Sequence, residues 1–428
     1  MLLDINVGTS RARIITVLVV AAVGALLAWL AVGNFMIGVL GDERVPLSRD
    51  SLESAVARFP NSAPLLARLA AAEMDSDERD PTGAERYARR AIEMSPWDYR
   101  HRMLLAGIVE AAGDRAGAEQ LLQEAVALAP NYSDVHWRLA NLLLRQGKLG
   151  KSISEFRSSC EKNSALLPQI LDLLWRISGQ NIDVVEAVTP PDAKARLSLA
   201  QFLLKQNKAP EAVAVFAAVD RAALISSPST PGFIAALVDA GNLEEAHRAW
   251  AMVAVGASPE LESTGIWNGG FEADLTPQIP PFDWRISSNE YVVPAVDGGT
   301  AHTGARSLRF DFLGRDTTRV DGQLTQMLVV RPASRYRIGC FIKTENFVSP
   351  DGPRVVVTNT RSSVEFGSSL PVAAGTRDWQ PLMAEFKTPP DVRAVLLTVR
   401  RLPQFSYDEP TKGSIWFDDF TLTELPQR

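Results

Sequence analysis

The sequence predicts a multidomain chain with a transmembrane helix, an all-α solenoid of helical hairpins and an all-β sandwich, in that order. Three observations predict it. Residues 14–41 hold no charged side chain. Gly113 and Gly147 stand 34 residues apart (147 − 113), as do Pro96 and Pro130, and each glycine separates two apolar, helix-period segments. Beyond about residue 262 that periodicity gives way to short alternating strands divided by Gly, Pro and Asp. The whole-chain numbers agree. A length of 428 residues calls for two or three domains, and 46% hydrophobic with 22% charged residues is the balance of a folded chain. A net charge of −6 argues against a nucleic-acid binder. Two cysteines cannot build a disulfide framework, and the four histidines form no metal-binding motif, so no cofactor is expected from composition.

The apolar run 14–41 comes first. At ~1.5 Å per residue it is about 42 Å long, enough for a hydrocarbon layer of ~30 Å. A cleavable signal peptide has an apolar region of only about 7–15 residues. Arg11 and Arg13 precede the run, while Asp42, Glu43 and Arg44 follow it. Cationic flanks stay in the cytoplasm, so residues 1–13 are expected to be a cytoplasmic tail. The bulk is then extracytoplasmic, and periplasmic in a Gram-negative host.

Residues 48–257 are expected to form the solenoid. Leu105-Ala106 is echoed by Leu139-Ala140, and Ala118-x3-Leu122 by Ser152-x3-Phe156. Upstream, Leu52 and Ala55 precede Pro60 as Leu122 and Ala125 precede Pro130. A two-residue insertion near Asp75–Pro81 brings Leu69-Ala70 and Ala84 into register. From Ala165 to Asp192 the rhythm shortens to one truncated hairpin, punctuated by Gly179 and Pro190-Pro191. It resumes with Leu199-Ala200, Asn207, Ala212 and Phe216, then Gly241, Ala246 and Trp250. Small residues let paired helices approach, and the aromatic fills the gap to the next unit. This pattern resembles the tetratricopeptide repeat.

The resemblance implies an inner surface, lined by the first helix of each unit, that holds a peptide or partner protein. Arg100, Met103, Asp134, Trp137, Asn141, Arg145, Lys194, Gln201 and Lys205 fall on it. Asn141 with Arg145, and Gln201 with Lys205, are i,i+4 pairs that share a helix face. Such a face could bind a carboxylate or peptide backbone, or simply be solvated. Trp137 is either an exposed anchor or a packing residue.

A linker is expected at 258–264 and the sandwich at 265–428. Strands are read at Ser307–Phe312, Tyr336–Ile342, Val355–Val357, Val395–Val399 and Ile415–Phe417. Asn268-Gly269-Gly270-Phe271-Glu272, Trp284, Gly304-Ala305-Arg306-Ser307-Leu308, Trp379 leading to Phe386 and Pro389, and Ile415–Leu422 occur in order. Together they resemble the jelly-roll carbohydrate-binding modules appended to bacterial glycoside hydrolases. The resemblance implies a structural Ca²⁺ held in part by Glu272 and Asp418; hydrogen-bonded turn carboxylates are the alternative, since Ca²⁺ needs 6–8 oxygens. It also implies sugar stacking on exposed aromatics. Trp416 alternates with inward Ile415 and Phe417, and Phe405, Tyr407 and Tyr291 are further contact candidates. Trp284 and Trp379 are expected in the core, and Cys340 as a buried thiol. A bridge from Cys340 to Cys160 is open, though no spacing demands it.

These readings lead to a non-enzymatic, membrane-anchored scaffold. Its repeats would bind a protein and its jelly roll polysaccharide or protein, with surface-polysaccharide assembly or export as the setting. A carbohydrate-binding protein with the repeats as a stalk is the alternative. A glycan-active enzyme is third, because Asp418 and Asp419, adjacent on a strand, point to opposite faces.

Overall fold

The computed structural model describes residues 10–42, 44–75, 80–254, 265–275, 281–362, 364–404 and 410–426. The expected linker 258–264, Phe405 and Tyr407 lie outside the described residues. The chain divides into two compact units, Met1–Pro190 and Pro191–Arg428, so the boundary falls on the Pro190-Pro191 pair.

In the first unit α1 (Ser10–Gly41) is long and apolar enough to cross a membrane, and none of its span is buried against the rest of the protein. Next come α2 (Arg49–Arg58), α3 (Ala63–Asp75), α4 (Pro81–Met94), α5 (Tyr99–Ala111), α6 (Arg115–Leu128), α7 (Ser133–Arg145) and α8 (Leu149–Lys162). A shorter hairpin closes the unit, α9 (Leu167–Ile177) and α10 (Ile182–Val188).

The 34-residue rhythm has a backbone cause. Gly113 (φ +95°) and Gly147 (φ +75°) sit in the left-handed region just past α5 and α7. There the Asp114 N–H donates to the Val109 carbonyl and the Lys148 N–H to that of Leu143, each at 2.9 Å. This closes the helix end with a six-to-one bond that a Cβ would disfavour. The partner helices start alike. Asp80 and Asp114 each accept from the backbone N–H three residues on, at Gly83 and Gly117, 2.9 and 2.8 Å away. Between these ends Ala84, Ala118, Ala125, Ala140 and Phe156 are fully or nearly fully buried, as the packing argument requires. At the position of Ala118 in the next unit, Ser152 is buried too and donates to the Ala140 carbonyl at 2.9 Å.

Arg68 ties the end of α1 to the repeats. Arg68 on α3 donates to the carbonyls of Leu40 (2.5 Å), Asp42 (2.8 Å) and Val45 (2.6 Å). A cation there satisfies carbonyls left over at the end of α1 and opposes its dipole.

The second unit opens with α11 (Ala193–Lys205), α12 (Ala209–Ala217), α13 (Arg221–Ser226), α14 (Ser229–Asp239) and α15 (Leu243–Ala254). Strands follow: β1 (Arg285–Ile286), β2 (Val292–Asp297), β3 (Ser307–Leu313), β4 (Val320–Val329), β5 (Arg335–Val348), β6 (Arg354–Asn359), β7 (Glu365–Ser368), β8 (Gly375–Lys387), β9 (Ala394–Arg401) and β10 (Lys412–Leu425). They form two antiparallel sheets, β1-β4-β9-β6-β7 and β2-β3-β10-β5-β8, in a jelly-roll sandwich. Phe271, Trp284, Phe310, Phe417 and Phe420 fill its core at 1% exposure or less.

Helices and sandwich share a joint within this unit. Trp250 on α15 is fully buried, its ring centroid 5.8 Å from Phe282 and 6.1 Å from Trp267. His247, one turn earlier, meets Phe282 edge-on at 5.2 Å, and burial pushes its pKa down. An end helix of a solenoid usually carries a polar outer face; here the sandwich covers it.

Candidate functional site

The first unit holds a groove of about 500 Å³ between α5 and α7. Met103, Ala106, Gly107 and Glu110 line one side, and Asp134, Trp137, Arg138, Asn141 and Arg145 the other. Trp137 is half-buried and packs edge-on against Phe156 at 5.4 Å, so it is both a packing residue and part of the lining. Arg145 reaches back one unit and forks onto Glu110, with Nε and Nη2 donating at 2.8 and 2.9 Å. That pair neutralises one end of the groove and locks both side chains. Asn141 donates from Nδ2 to the Trp137 carbonyl at 2.7 Å. Asp134 and Arg138, one turn apart, make no ion pair among the described residues. Gly107 is exposed, and a Cβ built on it meets no atom within 4 Å.

The structure therefore gathers Met103, Asp134, Trp137, Asn141 and Arg145 in one groove, and the other groove candidates are not in its lining. Arg100 does not line the groove: its Nε and Nη2 donate to Asp98 at the start of α5, at 2.9 and 2.6 Å. Lys194, Gln201 and Lys205 belong to α11 in the second unit. Sequence reasoning missed Gly107, Glu110 and Arg138. The signal was present, since Glu110 and Arg145 lie about one repeat apart and Gly107 interrupts an otherwise good helix former.

In the sandwich, Trp416 does not serve as an exposed platform. It does point to the outer face, but only 4% of it is exposed. Its Nε1 donates to Asp297 at 2.6 Å, and the Arg309 guanidinium lies 5.1 Å above its ring. Trp379 is likewise not a core residue. It is half-buried and meets His302 edge-on at 5.6 Å, while His302 stacks on Phe341 at 3.7 Å. Phe341 alternates with inward Cys340 and Ile342, so this aromatic trio belongs to the outer face. Asp419 accepts from Thr303 Oγ1 at 2.6 Å and lies 2.6 Å from His302 Nδ1. Tyr291 is half-buried beside β2. Trp284 is in the core, where its Nε1 donates to the Asn268 carbonyl at 2.9 Å.

Glu272 and Asp418 both grip the loop at 302–306. Glu272 accepts from the N–H groups of Ala305 (2.7 Å) and Arg306 (2.9 Å). Asp418, fully buried, accepts at one oxygen from His302 (2.7 Å) and at the other from Asp419 (2.7 Å). Burial pushes its pKa up to about 6, against the pull of those donors. A Ca²⁺ there would face the positive ends of amide dipoles. Among the described residues no group of three or more His, Cys, Asp or Glu side chains is placed to hold a metal. As arranged, the two carboxylates form a hydrogen-bonded clamp on the 302–306 loop. The two thiols are free and buried.

Residues 109–157, from the end of α5 into α8, match the family model of a tetratricopeptide repeat. Over those residues the chain carries a tetratricopeptide repeat. No curated protein matches the sequence. Among solved structures the chain is similar to MamA, 16% identical over 40% of this chain and 83% of that one, TM-score 0.27. It is similar to a CBM4 structure, 16% identical over 37% of this chain and 99% of that one, TM-score 0.28. YrrB, described as a tetratricopeptide protein with an unusual peptide-binding site, is 12% identical over 50% of this chain and 96% of that one, TM-score 0.26.

Proposed function

We propose that the chain is a non-catalytic, membrane-anchored scaffold whose first unit holds a peptide segment of a partner protein between α5 and α7. The observation that carries this reading is the groove itself. A half-buried Trp137 and the bare Gly107 line it together with Asp134 and Arg138, which have no ion-pair partner among the described residues. An apolar side chain can enter at Gly107 while backbone and charged groups of the peptide meet Asn141, Asp134 and Arg138. The locked Arg145–Glu110 pair adds shape at little ordering cost. Arg11 and Arg13 before α1 favour a cytoplasmic N-terminus and an extracytoplasmic, periplasmic bulk. Assembly or export of a surface polysaccharide is the setting we infer.

A photo-crosslinking amino acid at Gly107 or Arg138 of the full chain, expressed in its native membrane, tests the groove. One partner should be captured from both positions, lost on Trp137→Ala, and not captured from Gln123 on α6. Equal capture from Gln123, or capture that survives Trp137→Ala, would sink the proposal.

A second reading is favoured by the outer-face trio His302, Phe341 and Trp379. Sugar C–H faces stack on half-exposed rings, and Asp419 and Thr303 offer hydrogen-bonding groups beside them. Affinity electrophoresis of the full chain through polysaccharide gels should show retardation that drops on Trp379→Ala. Hydrolysis of any polysaccharide in that panel would overturn the non-catalytic part of the proposal.

A further inference from the structure

We infer that the edge of the first unit where α3, α5 and α7 begin seats on the bilayer that α1 crosses, with Trp97 and Tyr132 at the level of the lipid headgroups. The inference rests on α1 being a membrane span and is independent of what the groove binds.

The hairpins alternate in direction, so α3, α5 and α7, each the first helix of its unit, all start on one edge. The anchor ends on that edge. A Cβ built on Gly41 would stand 3.0 Å from Cβ of Pro64, the second residue of α3. Arg68, one turn further along α3, gathers the carbonyls of Leu40, Asp42 and Val45. Because none of the α1 span is buried, α1 leaves the repeats directly after this last turn. The uncharged run ends at Gly41, so the membrane face lies level with the start of α3.

Within the hairpins from α2 to α8 this edge is where the large apolar side chains are exposed. Trp97, in the loop from α4 to α5, is 82% exposed, and Tyr132, in the loop from α6 to α7, is 56% exposed. Tyr99, at the start of α5, lies 5.2 Å from Tyr132 and makes the two loops continuous. Met94, at the end of α4, is the third exposed large apolar side chain between residues 44 and 162, and among the described residues there is no fourth. On the opposite edge the turns at Ala112–Asp114 and Gln146–Lys148 carry none, and the closing hairpin adds a single exposed large apolar side chain, Ile177 at the end of α9. Scattered surface apolars need no explanation, but confinement of all three to the edge that holds the membrane helix does. Trp and Tyr, with an apolar body and a polar tip, are the side chains that favour a headgroup interface. Exposed Arg58 at the end of α2, 6.0 Å over the Phe59 ring, adds a basic group for lipid phosphates.

The test uses the full chain reconstituted into vesicles of phosphatidylethanolamine and phosphatidylglycerol. A polarity-sensitive fluorophore is placed in turn by Trp29→Cys, Trp97→Cys, Tyr132→Cys and Ala112→Cys, the native thiols being buried. Labels at 97 and 132 should lose fluorescence to lipids that carry a nitroxide near the headgroup and resist aqueous iodide. The label at 112 should do the reverse, and the label at 29 should respond to a nitroxide deep in the acyl chains. If 29 responds while 97 and 132 are as open to iodide as 112, the seating is wrong and the anchor stands. Shielding at 97 and 132 without lipid quenching means a protein occupant, such as a second copy, and also overturns it. No response at 29 removes the span and the seating together.

Discussion

Cys160 is 2% exposed in its repeat helix and Cys340 is 3% exposed between the two sheets. Desolvation raises both thiol pKa values, that of Cys160 to about 12. Since the thiolate is the reactive form, neither should react with Ellman's reagent in the native protein, and both should on unfolding. A fast-reacting thiol under native conditions would contradict this burial. His247 gives a pH dependence of known sign. Its folded pKa is lowered by burial, so below the unfolded value of 6.5 the unfolded chain takes up a proton that the folded chain resists. Stability should therefore fall as pH drops from about 7 to about 5, a window set by the histidine titration. His247→Phe should remove that loss, read as the shift in urea midpoint. Calcium supplies a third test. A structural ion at 100 times its Kd adds about 2.7 kcal/mol, and none of that gain is expected in melting curves with and without chelator. Burial of Cys340 was legible from alternation along its strand. The cover over Trp416 was not, because Asp297 and Arg309 stand more than 100 residues away in sequence and only strand pairing brings them together.

At the scale of elements, the repeat helices were legible because their punctuation is chemical: a left-handed residue ends one helix and an aspartate caps the next. Asn207, with φ +60°, does the work of Gly113 and Gly147 past α11, which is why the rhythm survived a change of residue. Strands β3, β5, β6, β9 and β10 were legible from apolar alternation. Strands β4 and β8 escaped notice, as Gly322 and Pro381 interrupt their alternation and apolar Met327, Val329 and Met383 stand on the outer face. Trp379 was assigned to the core as a motif residue at a strand end, whereas alternation with inward Leu382, Ala384 and Phe386 along β8 puts it on the outer face. A helix-interior glycine costs roughly 0.5–1 kcal/mol relative to alanine. Gly107→Ala, with open space at the Cβ, should accordingly raise stability by that amount in chemical denaturation. The bulkier Gly107→Leu should fill the groove and abolish crosslinking from Arg138. Equal stability of the alanine variant and the native chain would mean that the glycine is strained by something other than helix propensity.

On the scale of the whole molecule, the sequence marked Pro190-Pro191 as an interruption within one array, whereas the chain divides there into two compact units. Helical periodicity shows that α15 has an apolar face, yet it cannot say that Trp267 and Phe282 cover it. The fragment 191–428 should therefore melt as a more stable body than 265–428, which lacks Trp250. In the full chain Trp250→Ala should cost about 3–5 kcal/mol, the range for a buried aromatic, and should lower the calorimetric melting of the second unit alone. Unchanged melting would show that the joint contributes nothing. The same joint limits how such a chain can be lengthened. Units in the middle of the first unit meet neighbours of their own kind on both sides, so a 34-residue duplication at Pro130 reproduces every contact it interrupts. After α15 the same holds only for an insert whose last helix repeats Trp250 and His247, the side chains that meet Trp267 and Phe282. Reach can therefore grow by any regular unit inside the first unit, whereas beside the sandwich the new end helix must carry that aromatic face.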